Sequence, residues 1–335
     1  MSAAARAAGQ RGMTLVELMI AVIILSVVVA AAFSVSYSIM NSYREHSRAI
    51  NVERSARGAI AFLVDAVRNA SPGVPDGQIT DLVGCEDAWQ GIRVVNGVDA
   101  PDQLDLIYGT GGVVTTLREA FTDVSTQMVV ENAELLQPDD QILITNFDSG
   151  HLFSILTVTP AGPDWILTLR GGAPQAMCAA PLTAFNYPIR STVLRVQKAR
   201  FTVSTTEVPV LMMDRDGDGT LFQPEPVAEG VEDLQIAIGV DVNGNGTIEP
   251  ELGNVGNDDD WVYNHSGDTI QPTMALSTYR AIRLTVIARS MDETTSVASS
   301  LRPGAEDRAG STVADVFRRR SLSTTVEIRN IEGSP

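Results

Sequence analysis

From Leu18 to Met40 the chain runs for 23 residues without a charge or a proline, and Ser26, Ser34, Ser36, Tyr37 and Ser38 are its only hydroxyl residues. At 1.5 Å per residue such a helix covers roughly 34 Å, enough for a hydrocarbon core of about 30 Å. The helical pattern continues beyond it. Between Ser38 and Ala70 there is no proline and one glycine, Gly58, and apolar residues recur at helical spacing. Ile39, Tyr43, Ile50, Ile60, Leu63 and Val67 form the stripe, with Phe62 and Val64 widening it. Arg44, Glu45, Arg48, Glu53, Arg54, Arg57, Asp65 and Arg68 fall between them. The pattern predicts a helix from Met13 to Ala70, roughly 87 Å long, apolar all round in its first half and one-sided in its second. Ser71-Pro72-Gly73 is its stop signal.

Beyond residue 71 the period shortens to two. Residues 71–100 read as loop apart from Ile92–Val95. Strands are expected at Gln103–Tyr108, Gln127–Val130, Gln141–Asn146, Leu152–Thr159 and Trp165–Arg170. Ser191–Val203 and Glu207–Met213 read as a hairpin, followed by Asp233–Val240, Tyr279–Ser290 and Ser321–Asn330, the last two as antiparallel neighbours. Gly109-Thr110-Gly111-Gly112 reads as a turn, because a phosphate loop needs a following Lys and helix that are missing here. Pro303–Gly310 reads as a mobile loop, and Val313–Arg319 as a short helix or turn. A long N-terminal helix before a meander of strands is an α+β layout, with the helix packed on a mainly antiparallel β-rich head. The expected domains are a leader at 1–12, the helix at 13–70 with its membrane segment at about 18–40, and the head at 71–335.

Charge narrows the function. A net charge of −17 and a pI near 4.5 argue against a nucleic-acid binder, which needs a basic footprint. Cys85 and Cys178 are the two cysteines and have no zinc-ligand spacing. If the membrane segment delivers the head out of the cytoplasm, one disulfide is the natural reading; two unrelated buried thiols are the alternative. His46, His151 and His265 have no partner set by sequence for nucleophilic work. His46 falls on the helix, His151 in a tight turn and His265 in an acidic loop. No enzyme is expected.

Glu17 sets a carboxylate at the head of the apolar run, where an ionisable residue costs free energy. Residues 1–12 carry Arg6 and Arg11 and no acid, a bias that keeps this end cytoplasmic. A secretory signal has a shorter apolar core and a cleavage site after it, and a plain anchor leaves Glu17 unexplained. The leader ending Arg11-Gly12, then Met13-Thr14-Leu15-Val16-Glu17-Leu18-Met19 and the long helix, resembles the class III signal of type IV pilins and type II secretion pseudopilins. The resemblance implies cleavage by a prepilin peptidase between Gly12 and Met13, methylation of the new Met13 N-terminus, and a role for Glu17 in recruiting and registering subunits. Most of that family has Phe where this chain has Met13. A carboxylate that pairs with the freed ammonium of a neighbour relieves two buried charges at once and fixes an axial stagger. Two further stretches resemble the PilW-like minor pilins: residues 227–241, from Val227-Ala228-Glu229-Gly230 to Gly239-Val240-Asp241, and the closing run from Arg318 to Asn330.

Two acidic stretches point to calcium. Asp214, Asp216, Asp218, Thr220 and Glu225 reproduce the ligand spacing of an EF-hand loop, with Gly219 at its turn and strands expected on either side. Asp241, Asn243, Asn245, Thr247 and Glu249 form a less charged second candidate, with Leu252 at its closing position; Glu251 is an alternative to Glu249. For both, an Asx-rich turn without metal is the simpler reading. Asn257-Asp258-Asp259-Asp260 reads as a solvated acidic loop.

These features lead to an expected minor pilin, held in the inner membrane with its head in the periplasm before assembly. It then enters a pilus, in the shaft or at the tip, and contributes to assembly priming, motility or adhesion. Its expected partners are the prepilin peptidase, other minor and major pilins and the inner-membrane assembly platform. The alternative is a large minor pseudopilin of a type II secretion system.

Overall fold

The structure is a computed structural model that describes residues 13–74, 79–83, 85, 91–147, 149–178, 182–204, 208–216, 223–248, 261–265, 276–293 and 300–330. The leader, residues 1–12, lies outside them. Helix α1 runs from Leu15 to Arg68. The chain forms two compact units, the first ending at Ile50 and the second beginning at Asn51. In the first unit every residue from Leu15 to Met40 is exposed, and α1 is long and apolar enough to cross a membrane.

Sixteen strands follow among the described residues: β1 Ile79–Asp81, β2 Ile92–Val95, β3 Gln103–Thr116, β4 Phe121–Thr122, β5 Gln127–Val130, β6 Gln141–Thr145, β7 Gly150–Ala161, β8 Asp164–Leu169, β9 Asn186–Tyr187, β10 Thr192–Ser204, β11 Val210–Asp214, β12 Glu225–Glu229, β13 Val231–Val240, β14 Trp261–Val262, β15 Tyr279–Arg289 and β16 Arg319–Glu327. Ten of them make one sheet along β12-β11-β10-β6-β7-β8-β5, with β3 on the other edge of β10, β2 beside β3 and β1 parallel to β7. A second sheet has the order β14-β13-β15-β16, and β4 pairs with β9. This is the expected α+β fold.

The second half of α1 packs through Val52, Ala56, Ala59, Leu63, Ala66 and Val67, with Ala70 just beyond its end, all buried. Their spacing of three and four keeps one stripe on one face. Four of the seven are alanine. Of the larger residues expected there, Leu63 and Val67 are buried and Ile60 and Val64 pack on the core, whereas Ile50 is 56% exposed and Phe62 40%. Small side chains let the helix axis approach Leu104, Leu106, Phe201, Leu234, Ile236, Leu284 and Val326 of both sheets in one core. Phe62 contributes from the margin, edge-on to Phe201 at 5.9 Å. The helix end is tied to β3, where Ser71 N donates to Ile107 O at 2.7 Å and Gly109 N to Asn69 O at 2.8 Å.

The run Gly109–Gly112 is not a turn but the middle of β3. The register of β3 against β10 slips between Leu194 and Val196. Glycine inside a strand marks such an irregularity, and here it opens beside the end of α1. His151, expected in a turn, lies in β7 opposite Ile144. Its neighbour Gly150 is needed for close approach, since a Cβ there would meet Leu143 Cδ1 and Val74 Cγ2 at 2.9 Å.

Residues 303–310 are fastened to the second sheet. Arg308 and Arg302 both bond the buried Asp233 carboxylate, at 2.7 and 2.8 Å, and Glu306 takes Thr285 Oγ1 at 2.8 Å and Arg283 Nε at 3.0 Å. Residues 313–318 form neither helix nor turn but bends around an isolated bridge from Asp315 to Ser300, and Arg319 already begins β16.

Candidate functional site

Thr14 stands one residue before α1 and Glu17 is the third residue of the helix. Glu17 N donates to Thr14 Oγ1 at 3.2 Å, while Glu17 Oε2 accepts Thr14 N at 2.9 Å and Thr14 Oγ1 at 3.0 Å. This is a capping box: two of the helix's orphan amides are satisfied reciprocally. Sequence reasoning missed Thr14, although the signal was present as Thr-x-x-Glu before an apolar run. Only Oε2 is used. Among the described residues Oε1 of the exposed Glu17 has no hydrogen-bond partner, so the carboxylate closes the helix end through Oε2 alone. Met13 directly precedes the cap and is 65% exposed; Gly12 lies outside the described residues.

In the head, Cys85 and Cys178 are joined by a disulfide with 5.5 Å between their Cα atoms and 93 residues of separation. A loop of that length stabilises by about 4.6 kcal/mol in the chain-entropy picture.

The first acidic stretch is the loop of a β-hairpin. Met213 pairs with Glu225, so the hairpin brings Asp214 and Glu225, the first and last candidate ligands, close together. Asp214 and Asp216 are buried, and Asp216 N donates to Asp214 Oδ1 at 3.2 Å. Arg215 Nη1 lies 3.9 Å from Glu225 Oε1. Asp218 and Thr220 lie outside the described residues. The second stretch folds as consecutive Asx turns. Asp241 Oδ1 accepts Asn245 N at 3.0 Å and Asp241 Oδ2 accepts Gly246 N at 2.8 Å, while Asn243 Oδ1 and Asn245 Oδ1 accept the amides of Asn245 and Thr247. Arg280 Nε also donates to Asp241 Oδ2 at 3.0 Å. Burial raises the Asp241 carboxyl, but the Gly246 amide and Arg280 outweigh it and hold it below its usual range. Protein donors therefore already serve that loop; Glu249 lies outside the described residues. Among the described residues no three His, Cys, Asp or Glu side chains converge.

His151 is buried, its Nδ1 2.6 Å from Tyr187 Oη and its ring 4.0 Å from that of Phe185. Burial lowers its pKa to about 4. A neutral imidazole among aromatic rings is part of the packing.

The family model described as Type IV Pilus-assembly protein W matches residues 200–330, and that of the prokaryotic N-terminal methylation motif matches residues 8–33. The first covers everything from the middle of β10 through β16; the second covers Thr14, Glu17 and the start of the apolar helix. No curated protein matches the chain. Among solved structures, the type IV-like pilin TTHA1219 from Thermus thermophilus aligns at 13% identity over 58% of this chain and 85% of its own, with a TM-score of 0.26. That likeness is too slight to carry an argument.

Proposed function

The chain belongs to the type IV pilin family and is PilW-like over residues 200–330, and from that premise we propose that it acts as a minor pilin whose assembly is registered by Glu17. Before assembly α1 holds the subunit in the inner membrane with its head in the periplasm. Cleavage after Gly12 frees the α-amine of Met13, which is then methylated. The ammonium sits where unpaired charge is expensive, and a carboxylate on an adjacent helix relieves both charges at one axial offset. The observation that carries this reading is the Thr14–Glu17 box: Glu17 caps its own helix through Oε2 and leaves Oε1 for the neighbour. The PilW match favours a surface pilus, where the subunit would prime assembly or contribute to motility and adhesion by contact.

Weak calcium binding in the Asp214–Glu225 loop belongs to the same proposal. The hairpin's closure of its first and last ligands supports it, and extracellular calcium modules of this kind bind with constants on the order of 10⁻⁴–10⁻³ M. The metal would neutralise the carboxylates and hold the loop.

Glu17→Ala should insert in the membrane at wild-type level yet fall at least about tenfold in sheared surface-fibre fractions, because only the paired state is lost. Normal incorporation would remove the registry role. If the wild-type chain is absent from surface fibres while its deletion retains exoproteins inside the cell, the secretion alternative replaces the pilus.

A further inference from the structure

β16 is the outermost strand of its sheet, and the parity of its pairing decides which backbone groups face outward. Ser290 N donates to Arg318 O at 2.8 Å and Ile328 N donates to Arg280 O at 3.0 Å. Between them the register runs unbroken from Arg319 opposite Arg289 to Glu327 opposite Ala281. Residues of an antiparallel pair alternate between bonded and non-bonded positions. Arg320, Leu322, Thr324 and Val326 therefore bond to β15, while Ser321, Ser323 and Thr325 turn their N–H and C=O groups to the opposite edge. Among the described residues nothing bonds to those outward groups.

Other edges of the head are blunted. β12 carries Pro226 and a register shift against β11. β5 is flanked by Leu117, which bridges Val130, and by Arg118, whose N–H donates to Val129 O. β14 is two residues long. β16 has nine residues and no proline, and its outward side chains Ser321, Ser323 and Thr325 are short and exposed. A long bare edge of this kind is a template for a further strand. The strand is held firmly, with Val326 and, just beyond its end, Ile328 buried in the core shared with α1 and Asn330 Nδ2 donating to Ala70 O at 3.0 Å. Arg320 and Arg329 are exposed at its two ends against the single acid Glu327, a local positive excess on a chain of net charge −17.

We propose that the β16 edge receives an extended acidic segment of another protein by strand addition, with main-chain bonds to Ser321, Ser323 and Thr325 and carboxylates near Arg320 and Arg329. A second copy fits less well, because its own β16 brings the same two arginines. The surface is separate from the Thr14–Glu17 motif and does not depend on the fibre reading.

The test is photo-cross-linking in cells producing the full chain, with a benzophenone amino acid at Thr325 and the adduct mapped by mass spectrometry. Adducts should map to an extended acidic segment of a different protein. Ser323→Pro, which removes one outward N–H, leaves the main-chain bonds to β15 intact and gives up the bond from Thr285 Oγ1 to Ser323 Oγ, should reduce the adduct at least about tenfold. The double variant Arg320→Glu with Arg329→Glu should do the same without touching the ladder. If Ser323→Pro lowers the melting temperature, the charge-reversal variant alone decides. Adducts to β16 of a second copy, adducts indifferent to both variants, or no adduct at all would overturn the proposal.

Discussion

At the scale of single residues, buried carboxylates do much of the joining in the head. Asp102 accepts the amides of Gly97 at 2.8 Å and Ile236 at 2.7 Å, linking the turn before β3 to β13. Burial pushes its carboxyl up to about 7; those two amides pull against this, and Asp307 and Asp233 add to it. The folded carboxyl thus holds its proton to higher pH than the unfolded one, near 3.8. Its contribution to stability is complete below the unfolded value and is lost as pH rises through 7. The full chain in detergent should melt lower at pH 8 than at pH 5, by a free energy of at most about 2.6 kcal/mol. Asp102→Asn should be less stable at pH 5, because its Nδ2 meets an amide donor, and should lose most of this slope. An unchanged slope in the variant would assign the pH dependence elsewhere. Sequence could not reveal this residue. Nothing in Pro101-Asp102-Gln103 distinguishes a buried acid from a turn acid, since its partners come from residues 97 and 236. Glu17 was legible by contrast, because a charge beside an apolar run stands out without knowledge of the fold, and its partner Thr14 is only three residues away.

At the scale of elements, the strands were readable and the helix face was readable in part. Alternation located the strands from β5 to β8, the β10–β11 hairpin and the β15–β16 pair, because one buried face imposes period two on residues close in sequence. Leu63 and Val67 of the expected stripe on α1 are in the core, but Ala56, Ala59 and Ala66 beside them were not expected there, since their fit depends on Phe201 and Leu234, far along the chain. The consequence is testable by thermal melting of the full chain. Ala59→Leu, at a fully buried position, should cost about 1–3 kcal/mol by overpacking. Gly58→Ala, where an added Cβ meets nothing within 4 Å, should gain about 0.5–1 kcal/mol. The reverse ranking would mean that the helix does not seat on the sheets through this face. The glycine run in β3 was misread because turn chemistry and a strand irregularity share the same residues. The acidic loop between β11 and β12 has its own measurement. Millimolar calcium should raise the melting temperature, and Asp216→Ala should abolish most of the gain; no shift in the wild-type chain would remove calcium from the account.

At the scale of the whole molecule, one chain joins an apolar helix half to a disulfide-linked β-rich head whose core includes the other helix half. The architecture was legible because two periods divide the sequence cleanly, 3.6 before Ser71 and 2 after it. How strands far apart in sequence order into sheets was not, since β3 and β10 are joined by pairings 76 to 97 residues apart, from Thr192 with Thr116 to Leu104 with Phe201, that no local pattern specifies. The two proposed interaction sites are the Thr14–Glu17 box and the β16 edge of the second sheet. The central claim is that this subunit is cut after Gly12 and enters a fibre as a pilin. Mass spectrometry of the N-terminal peptide from chain recovered in sheared surface fibres tests it most directly. The account predicts a peptide beginning at N-methylated Met13, and no fibre-associated chain from a Gly12→Ala variant. Fibre-borne chain that retains residues 1–12, or a mature N-terminus in the Gly12→Ala variant, would contradict it.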